Sequence, residues 1–243
     1  MPEMKNDDLN DKKSVDSEGN VSAHDGFLST DFNKNAFDLE RHPIDQMTAG
    51  RHLTFYKNIM FDNPVSYCRY SNNDKFLAVG LMNGKIALIQ NDIMNIDCML
   101  DSGIEGLPCT SIRWRPNDRL NEMLLTTNCD GSLTGFSLRS KKVKWKIQEK
   151  SSNFLCADYK NAGNGFIVGD HKGNISIYDE ETTQVVRCYE RGHSNSPGHT
   201  NRVFSIKCFD DKNPCVFLSG GWDSIVYFWD MRDSKVSPFL IKI

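Results

Sequence analysis

Apolar and polar residues alternate with a period of two along residues 203–208. That period is typical of a β-strand. A polar Asp-Lys-Asn-Pro break follows, and a second extended run ends at Ser219. Gly220-Gly221-Trp222-Asp223 predicts a tight turn, because glycine tolerates positive φ and Asp bonds its own turn backbone. A β-branched and aromatic run then continues to Trp229, so three short strands are predicted between residues 198 and 232.

Similar turns recur along the chain at a regular interval. They contain Asn83, Asp130, Lys172 and Asp223, which are 47, 42 and 51 residues apart. An interval of about 40–45 residues is typical of the blades of a β-propeller. A polar insert at residues 191–198 accounts for the longer last interval.

Each of the four units also has an earlier strand and a later strand, so four antiparallel strands per unit are predicted. The earlier strands are predicted at residues 65–70, 110–114, 154–159 and 203–209, and the later ones are clearest at 143–148, 184–189 and 239–243. The predicted fold is all-β, a propeller at residues 51–243. Its blades are expected at about residues 60–100, 105–150, 151–192 and 198–243.

Residues 198–232 closely resemble a WD repeat, the unit of one blade in WD-repeat β-propellers. Gly198-His199 leads the stretch, and Trp229-Asp230 ends its third strand. In that family a His, a Ser or Thr, an Asp and the Trp form a hydrogen-bonded chain inside the blade. By position, the resemblance assigns this structural tetrad to His199, Ser219, Asp223 and Trp229. Such a chain would satisfy each of its buried polar groups.

The first three units depart from the WD pattern. The Trp position holds Ile89, Phe136 and Tyr178, and the Ser position holds Val79, Thr126 and Val168. None of these units has Gly-His in the expected place. Apolar packing is therefore expected to replace the hydrogen-bonded chain in them.

Four blades are countable, whereas WD-repeat proteins usually have seven. Residues 51–57 resemble the strand that closes the ring in that family, but residues 239–243 already fill the outer position of the fourth unit. We therefore expect a propeller that is incomplete at the C-terminus. A compact four-bladed ring is the alternative, since four blades lie at the low end of the propeller range.

Composition separates the first fifty residues from the rest. Residues 1–50 carry eleven acids and five bases without sustained periodicity, which predicts a disordered acidic and polar tail. A docking motif within it is one interpretation of its apolar residues Phe27, Leu28, Phe32 and Phe37. The net charge of −3 gives no indication of direct nucleic-acid binding. No apolar run approaches the length of a membrane span.

Eight cysteines are scattered without a Cys-x-x-Cys pair. This usage favours a reducing compartment, the cytoplasm or the nucleus. No Gly-rich phosphate loop, nucleophile elbow or His-Glu-x-x-His motif occurs. Cys188, His193 and His199 have poor spacing for zinc. The chain is therefore expected to be no enzyme, to need no cofactor or metal, and to serve as a scaffold for protein–protein interactions within a multiprotein complex.

Propellers bind partners on the face where the loops between second and third strands emerge. The candidate residues on this face are Met82, Cys129, His171 and Trp222, with Arg202 at the entrance of the last blade. Trp222 beside Arg202 is the strongest candidate, because Trp and Arg are enriched in interface hot spots. Packing of Trp222 on a neighbouring blade is the alternative.

Trp229-Asp230-Met231-Arg232 resembles the Trp-Asp-x-Arg box of substrate receptors for cullin-based ubiquitin ligases. In those proteins the arginine contacts the ligase adaptor. The resemblance therefore implies an alternative function as such a receptor, with Arg232 as the adaptor contact. The simpler interpretation is an exposed arginine paired with a carboxylate such as Asp233.

Overall fold

Strands are the regular elements of the described chain. A computed structural model of the protein describes residues 57–102, 107–118, 123–193, 197–209, 213–232 and 239–242. Sixteen strands and no helix lie within these residues, all in the compact unit Phe55–Ile243. The predicted tail at residues 1–50 and most of the predicted closing strand lie outside the described residues.

Each run of four consecutive strands forms one antiparallel sheet. The first sheet contains β1 (Val65–Tyr70), β2 (Phe76–Leu81), β3 (Lys85–Gln90) and β4 (Asn95–Asp101), and the second contains β5 (Cys109–Trp114), β6 (Met123–Asn128), β7 (Ser132–Ser137) and β8 (Lys142–Gln148). The third contains β9 (Phe154–Tyr159), β10 (Gly165–Asp170), β11 (Ile175–Asp179) and β12 (Val185–Tyr189), and the fourth contains β13 (Val203–Cys208), β14 (Val216–Gly221), β15 (Ile225–Asp230) and β16 (Phe239–Lys242). The predicted all-β fold is confirmed, and the earlier and later strands predicted for the units lie within one residue of observed ones. In the fourth sheet, β14 extends through Gly220 and Gly221, two residues beyond the predicted end of that strand at Ser219.

The turn between the second and third strands has the same construction in the first three sheets. Gly84, Gly131 and Gly173 occupy it with φ of 80°, 78° and 98°, a region that side chains other than glycine rarely enter. In the fourth sheet Ser224 takes this place at φ 62°. Its neighbour Asp223 offsets that strain, because its carboxylate accepts a hydrogen bond from the Ile225 amide at 3.3 Å.

Neighbouring sheets pack face to face in chain order. Contacts join β1 to β5, β5 to β9 and β9 to β13, so the first strand of each sheet lies innermost. The apolar cores lie between the sheets: Ile86 and Leu88 pack with Ile112 and Trp114, for example. Burial of each such side chain stabilises the fold by about 1.5–3 kcal/mol. Every sheet therefore depends on its neighbours for its core.

A bulge near the start of each innermost strand changes which side chains face the next sheet. In β13 the register shifts between Val203 and Ser205. Val203 is buried against the third sheet, whereas Phe204 and Ser205 are exposed on the opposite side. The bulge thereby places an aromatic side chain beside the turn that carries Trp222.

Candidate functional site

Four side chains form one hydrogen-bonded chain inside the fourth sheet. The Trp229 indole N–H donates to Ser219 Oγ at 2.6 Å, and Ser219 Oγ lies 2.7 Å from His199 Nε2. On the other side of the ring, His199 Nδ1 lies 2.9 Å from Asp223 Oδ2. The Thr200 amide donates to the same carboxylate oxygen at 2.9 Å. The structure thus brings together the four residues that the sequence grouped as a tetrad.

The protonation of the tetrad follows from its donors and acceptors. The Ser219 hydroxyl accepts from Trp229 and can then donate to His199 Nε2, which leaves the Nδ1 proton for Asp223. Burial lowers the pKa of His199 from its ordinary 6.5, while its bond with Asp223 opposes that shift. The imidazole is therefore neutral at physiological pH. This arrangement serves the fold, because His199 and Ser219 are 0% and 1% exposed.

An exposed aromatic cluster lies beside the tetrad. Trp222 is 61% exposed, and its ring centroid lies 4.8 Å from that of Phe204. The Arg202 guanidinium carbon lies 5.0 Å from the Trp222 ring centroid. The Trp222 amide donates to the Arg202 carbonyl at 2.9 Å, which fixes the turn against the entrance of the sheet. Trp222 thus packs on residues of its own sheet, and Phe204 is a member that the sequence interpretation missed.

The other candidate face residues do not join this cluster. Met82 is 44% exposed on the first sheet, whereas Cys129 and His171 are half-buried. The His171 Nδ1 atom accepts a hydrogen bond from the Asn153 amide at 3.0 Å. No hydrogen bond or ring contact links these three residues to Trp222 within the described part of the chain.

Arg232 lies in the turn after β15 with its side chain 72% exposed. Its Nε atom donates to Asp230 Oδ1 at 2.9 Å, and its Nη2 atom donates to Asp230 Oδ2 at 2.5 Å. The pairing with Arg232 lowers the pKa of Asp230 to about 2. The partner of Arg232 is therefore Asp230, and the suggested Asp233 lies outside the described residues.

A comparison with known families matches the stretch of the chain that contains the tetrad. The family model described as "WD domain, G-beta repeat" matches residues 191–230. The chain carries a WD40 repeat. No curated protein sequence matches the chain at a significant level.

A solved structure shares the fold of this chain. A chain of "Crystal Structure of Mitotic Checkpoint Complex" aligns with a TM-score of 0.60 and 15% identity, over 73% of this chain and 52% of that one. The protein described here thus spans about half the length of that chain. At this identity the likeness shows the fold alone, the WD40 β-propeller. Proteins with this fold generally serve as non-enzymatic scaffolds for protein interactions.

The first three sheets replace the tetrad in different ways. Ile89, Phe136 and Tyr178 are buried at the Trp position, as apolar packing requires. Apolar packing alone is nevertheless the wrong description of the second and third sheets. The turns between their second and third strands carry buried polar side chains. Buried polar groups need hydrogen-bond partners, and these side chains find them in local networks.

Two such networks were missed in the sequence. In the second sheet the Asn128 amide donates to Ser102 Oγ at 3.1 Å and to Ser132 Oγ at 3.0 Å. In the third sheet Asp170, rather than Lys172, holds the turn and accepts from the Lys172 and Asn174 amides at 2.8 Å. The carboxylate that holds this turn lies two residues before the aligned turn position, Lys172. An alignment on the turn glycines therefore overlooks it.

A cluster of charges between the sheets was also missed. Asp158 on β9 accepts from Arg113 Nε on β5 at 3.2 Å and from Lys207 Nζ on β13 at 3.2 Å. It also accepts from the Cys208 amide at 2.8 Å. The signal in the sequence was a charged residue near the end of each innermost strand. Asp158 therefore links the second, third and fourth sheets.

Other kinds of site receive no support from the described residues. Within the described ranges no three His, Cys, Asp or Glu side chains are placed to hold a metal ion. No helix in that part of the chain is long and apolar enough to cross a membrane. All eight cysteines are free, and burial raises the pKa of Cys109, Cys156 and Cys208 to about 12. These three thiols are inert packing groups at neutral pH.

Proposed function

We propose that the protein is a non-enzymatic WD-repeat scaffold that binds partner proteins through the Trp222 cluster, which consists of Arg202, Phe204 and Trp222. The observation that carries the proposal is the exposure of Trp222, 61%, although a second aromatic ring and a guanidinium contact it. Large aromatic side chains at that exposure are unusual on surfaces that contact only water. Trp and Arg are also the residues most enriched in hot spots.

The cluster is suited to binding because it is already ordered. The Phe204 and Arg202 contacts restrict the Trp222 side chain, and the tetrad anchors the turn below it. A partner that docks on Trp222 would lose little additional side-chain entropy from this surface. The cationic Arg202 favours a partner that offers a carboxylate beside an apolar side chain.

The test is affinity purification of the whole chain with mass spectrometry, compared with Trp222→Ala. Because Trp222 is mainly exposed, the variant should keep its melting temperature. We expect it to lose specific protein partners. Val186→Ala is the matched control, since Val186 is 63% exposed on the outer strand β12. An identical partner set for all three proteins would overturn the assignment, and unfolding of Trp222→Ala would assign a structural role to the indole.

The ubiquitin-ligase alternative stays a prediction at Arg232. The guanidinium is exposed but held by Asp230, so an adaptor would have to share or break that pairing. Purification with Arg232→Ala separates the two functions. Loss of a ligase adaptor from this variant alone supports the receptor. Residence in the cytoplasm or nucleus is proposed from the eight free cysteines.

A further inference from the structure

The outer strand of the second sheet lies in a strongly basic stretch. Residues 139–150 carry six bases and one acid, although the net charge of the whole chain is −3. Within β8 itself, Lys142, Lys144 and Lys146 are all exposed. No carboxylate of the described residues forms an ion pair with these three lysines. Such a concentration of positive charge creates a local field that attracts anionic groups.

One edge of β8 has no strand beside it in the part of the chain that the structure describes. The order of the second sheet is β5-β6-β7-β8, so β8 pairs with β7. The Glu149 amide donates to the Gly131 carbonyl at 2.9 Å, and in an antiparallel ladder the backbone groups of the preceding residue, Gln148, then point away from β7. Lys146, two residues earlier, has the same orientation. Lys146 and Gln148 therefore present their N–H and C=O groups to the open edge.

Protection of the edge is one role that lysines can have on an outer strand, because they oppose pairing with other chains. The outer strands of the neighbouring sheets, β4 and β12, contain no lysine. They expose Ile96, Met99 and Val186 instead. Edge protection by lysine is thus not a general feature of this chain, and the lysines of β8 call for a more specific explanation.

The lysines of β8 reach both faces of the second sheet. Lys146 lies opposite Thr134, whose hydroxyl donates to the Ser102 carbonyl at 2.9 Å, so Lys146 is on the side of the first sheet. Lys144 instead borders a cavity of about 230 Å³ together with Glu180 of the third sheet. An added strand with carboxylates on either face therefore meets a lysine.

Two carboxylates near these lysines are engaged with other groups. Asp97 on β4 binds Lys141 at 2.8 Å. Glu180, directly after β11, binds Arg115 at 3.1 Å and accepts a hydrogen bond from the Tyr159 hydroxyl at 3.2 Å. The lysines of β8 thus keep their charge available for a partner.

We propose that β8 binds an acidic, extended segment of a partner protein, which joins the second sheet as a fifth strand. The backbone groups of Lys146 and Gln148 pair with the segment, and its carboxylates lie beside the lysines. In strand addition of this kind, main-chain hydrogen bonds supply affinity and side chains supply specificity. Opposite charges across neighbouring strands stabilise a sheet and like charges destabilise it, so the lysines favour an acidic strand and oppose a second copy of β8.

Two other anionic partners fit this edge less well. Proteins bind single-stranded nucleic acid with aromatic rings that stack on its bases as well as with cations. Trp145, the aromatic residue of β8, stacks on Phe166 of the third sheet instead. Binding to an anionic membrane surface also depends on buried apolar area, whereas Val143 is the single apolar residue that β8 exposes. The edge therefore favours an acidic polypeptide.

The first test is fluorescence anisotropy of a labelled peptide of alternating Glu and Val, titrated with the whole chain. A peptide of alternating Glu and Pro has the same length and charge, but its prolines donate no backbone hydrogen bond. The Glu–Val peptide should bind about tenfold more tightly than the Glu–Pro peptide, because only the former completes the ladder. Equal binding of the two peptides would overturn the proposal, and so would no binding of either.

Charge reversal locates the binding edge. The double variant Lys142→Glu with Lys146→Glu should raise the Kd of the Glu–Val peptide about tenfold, since each change replaces attraction by repulsion. The matched control is Lys75→Glu with Lys172→Glu, which makes the same change of charge at exposed lysines of the first and third sheets. The control should leave the Kd unchanged. Equal weakening by both double variants would assign the effect to net charge alone and exclude β8.

Hydrogen exchange provides a measurement on the wild-type chain, which does not depend on how the variants fold. The Lys146 and Gln148 amides should exchange rapidly in the free chain and slowly with the Glu–Val peptide, because the added strand accepts their hydrogen bonds. The amides of β12 are the control and should exchange at the same rate in both states. Unchanged exchange on β8, or equal protection of β12, would contradict the proposed contact.

The rival ligands are compared in the same titration. A uridine oligonucleotide and phosphatidylserine vesicles should each bind more weakly than the Glu–Val peptide. Tighter binding of either one that is lost in the Lys142→Glu, Lys146→Glu variant would assign β8 to that ligand and overturn the proposal. Both substitutions lie on the second sheet, so this result is independent of the Trp222 cluster on the fourth.

Discussion

At the scale of single residues, the Ser219 hydroxyl is the centre of the tetrad. It accepts from the Trp229 indole at 2.6 Å and lies 2.7 Å from His199 Nε2. Both partners are buried, so neither can turn to water if the hydroxyl is removed. The tetrad is therefore a set of mutually dependent groups, and its value is best measured by deleting its centre.

We expect Ser219→Ala to lower the free energy of unfolding by about 1–3 kcal/mol, because an indole N–H and an imidazole nitrogen lose their partner. Urea denaturation followed by circular dichroism measures this change. Ser140→Ala is the control, since Ser140 is exposed and its hydroxyl makes only a long bond of 3.5 Å to Ser137. Equal midpoints for the two variants would show that the tetrad does not stabilise the fold.

His199 makes the stability depend on pH. Burial lowers its pKa in the folded chain relative to the unfolded one, so the unfolded chain binds the proton more readily. The contribution of His199 is therefore complete above its unfolded pKa of about 6.5 and is lost as pH falls towards the folded pKa. The melting temperature of the wild type should exceed that of His199→Gln at pH 8, and this gap should narrow by pH 5.5. A constant gap would contradict the assignment.

At the scale of elements, Gly135 and Trp145 form a pair of one small and one large residue on neighbouring strands. Gly135 on β7 faces Trp145 on β8, and a Cβ placed on Gly135 would lie 2.3 Å from the indole. The Trp145 ring stacks on Phe166 of the third sheet with centroids 5.3 Å apart. In the first sheet the same register holds Leu88 opposite Cys98. The larger side chain of the pair thus lies on the third strand in the first sheet and on the fourth strand in the second sheet.

This exchange predicts a measurable coupling. Gly135→Leu alone forces the indole aside, and Trp145→Cys alone leaves a cavity, so each should destabilise the fold by about 1–4 kcal/mol. The double variant rebuilds the Leu88–Cys98 pair and should recover most of that loss. A double-mutant cycle from chemical denaturation gives the coupling energy. Simple additivity of the two losses would mean that the side chains do not share one space.

The features that were predicted correctly from the sequence depend on residues close to one another along the chain. Strand alternation, turn glycines and the residues of the tetrad all follow from local patterns within one blade. The Phe204 contact with Trp222 was missed because it depends on the bulge between Val203 and Ser205, which reverses the side on which Phe204 lies. Asp170 was missed because its side chain replaces the expected turn residue from two positions earlier.

At the scale of the whole molecule, Asp158 connects sheets that are distant in sequence. Its carboxylate binds Arg113 of the second sheet and both Lys207 and the Cys208 amide of the fourth. Arg113 and Asp158 have side chains only 14% and 7% exposed, whereas that of Lys207 is 67% exposed. No local pattern predicts such a contact, since it requires three sheets to be stacked first.

The energies within this cluster should therefore differ by partner. Asp158→Ala leaves the Arg113 cation and the Cys208 amide without this partner. Because a buried ion pair is broken, we expect the free energy of unfolding to fall by about 3–5 kcal/mol. Lys207→Ala removes a partner that water replaces, so its effect should stay within about 1 kcal/mol. Hydrogen exchange extends the comparison, because Asp158→Ala should reduce amide protection in both β5 and β13, the strands on either side of β9. If the two variants lose equal stability, or if protection falls only within β9, then the sheets are joined by their apolar cores and the carboxylate is incidental.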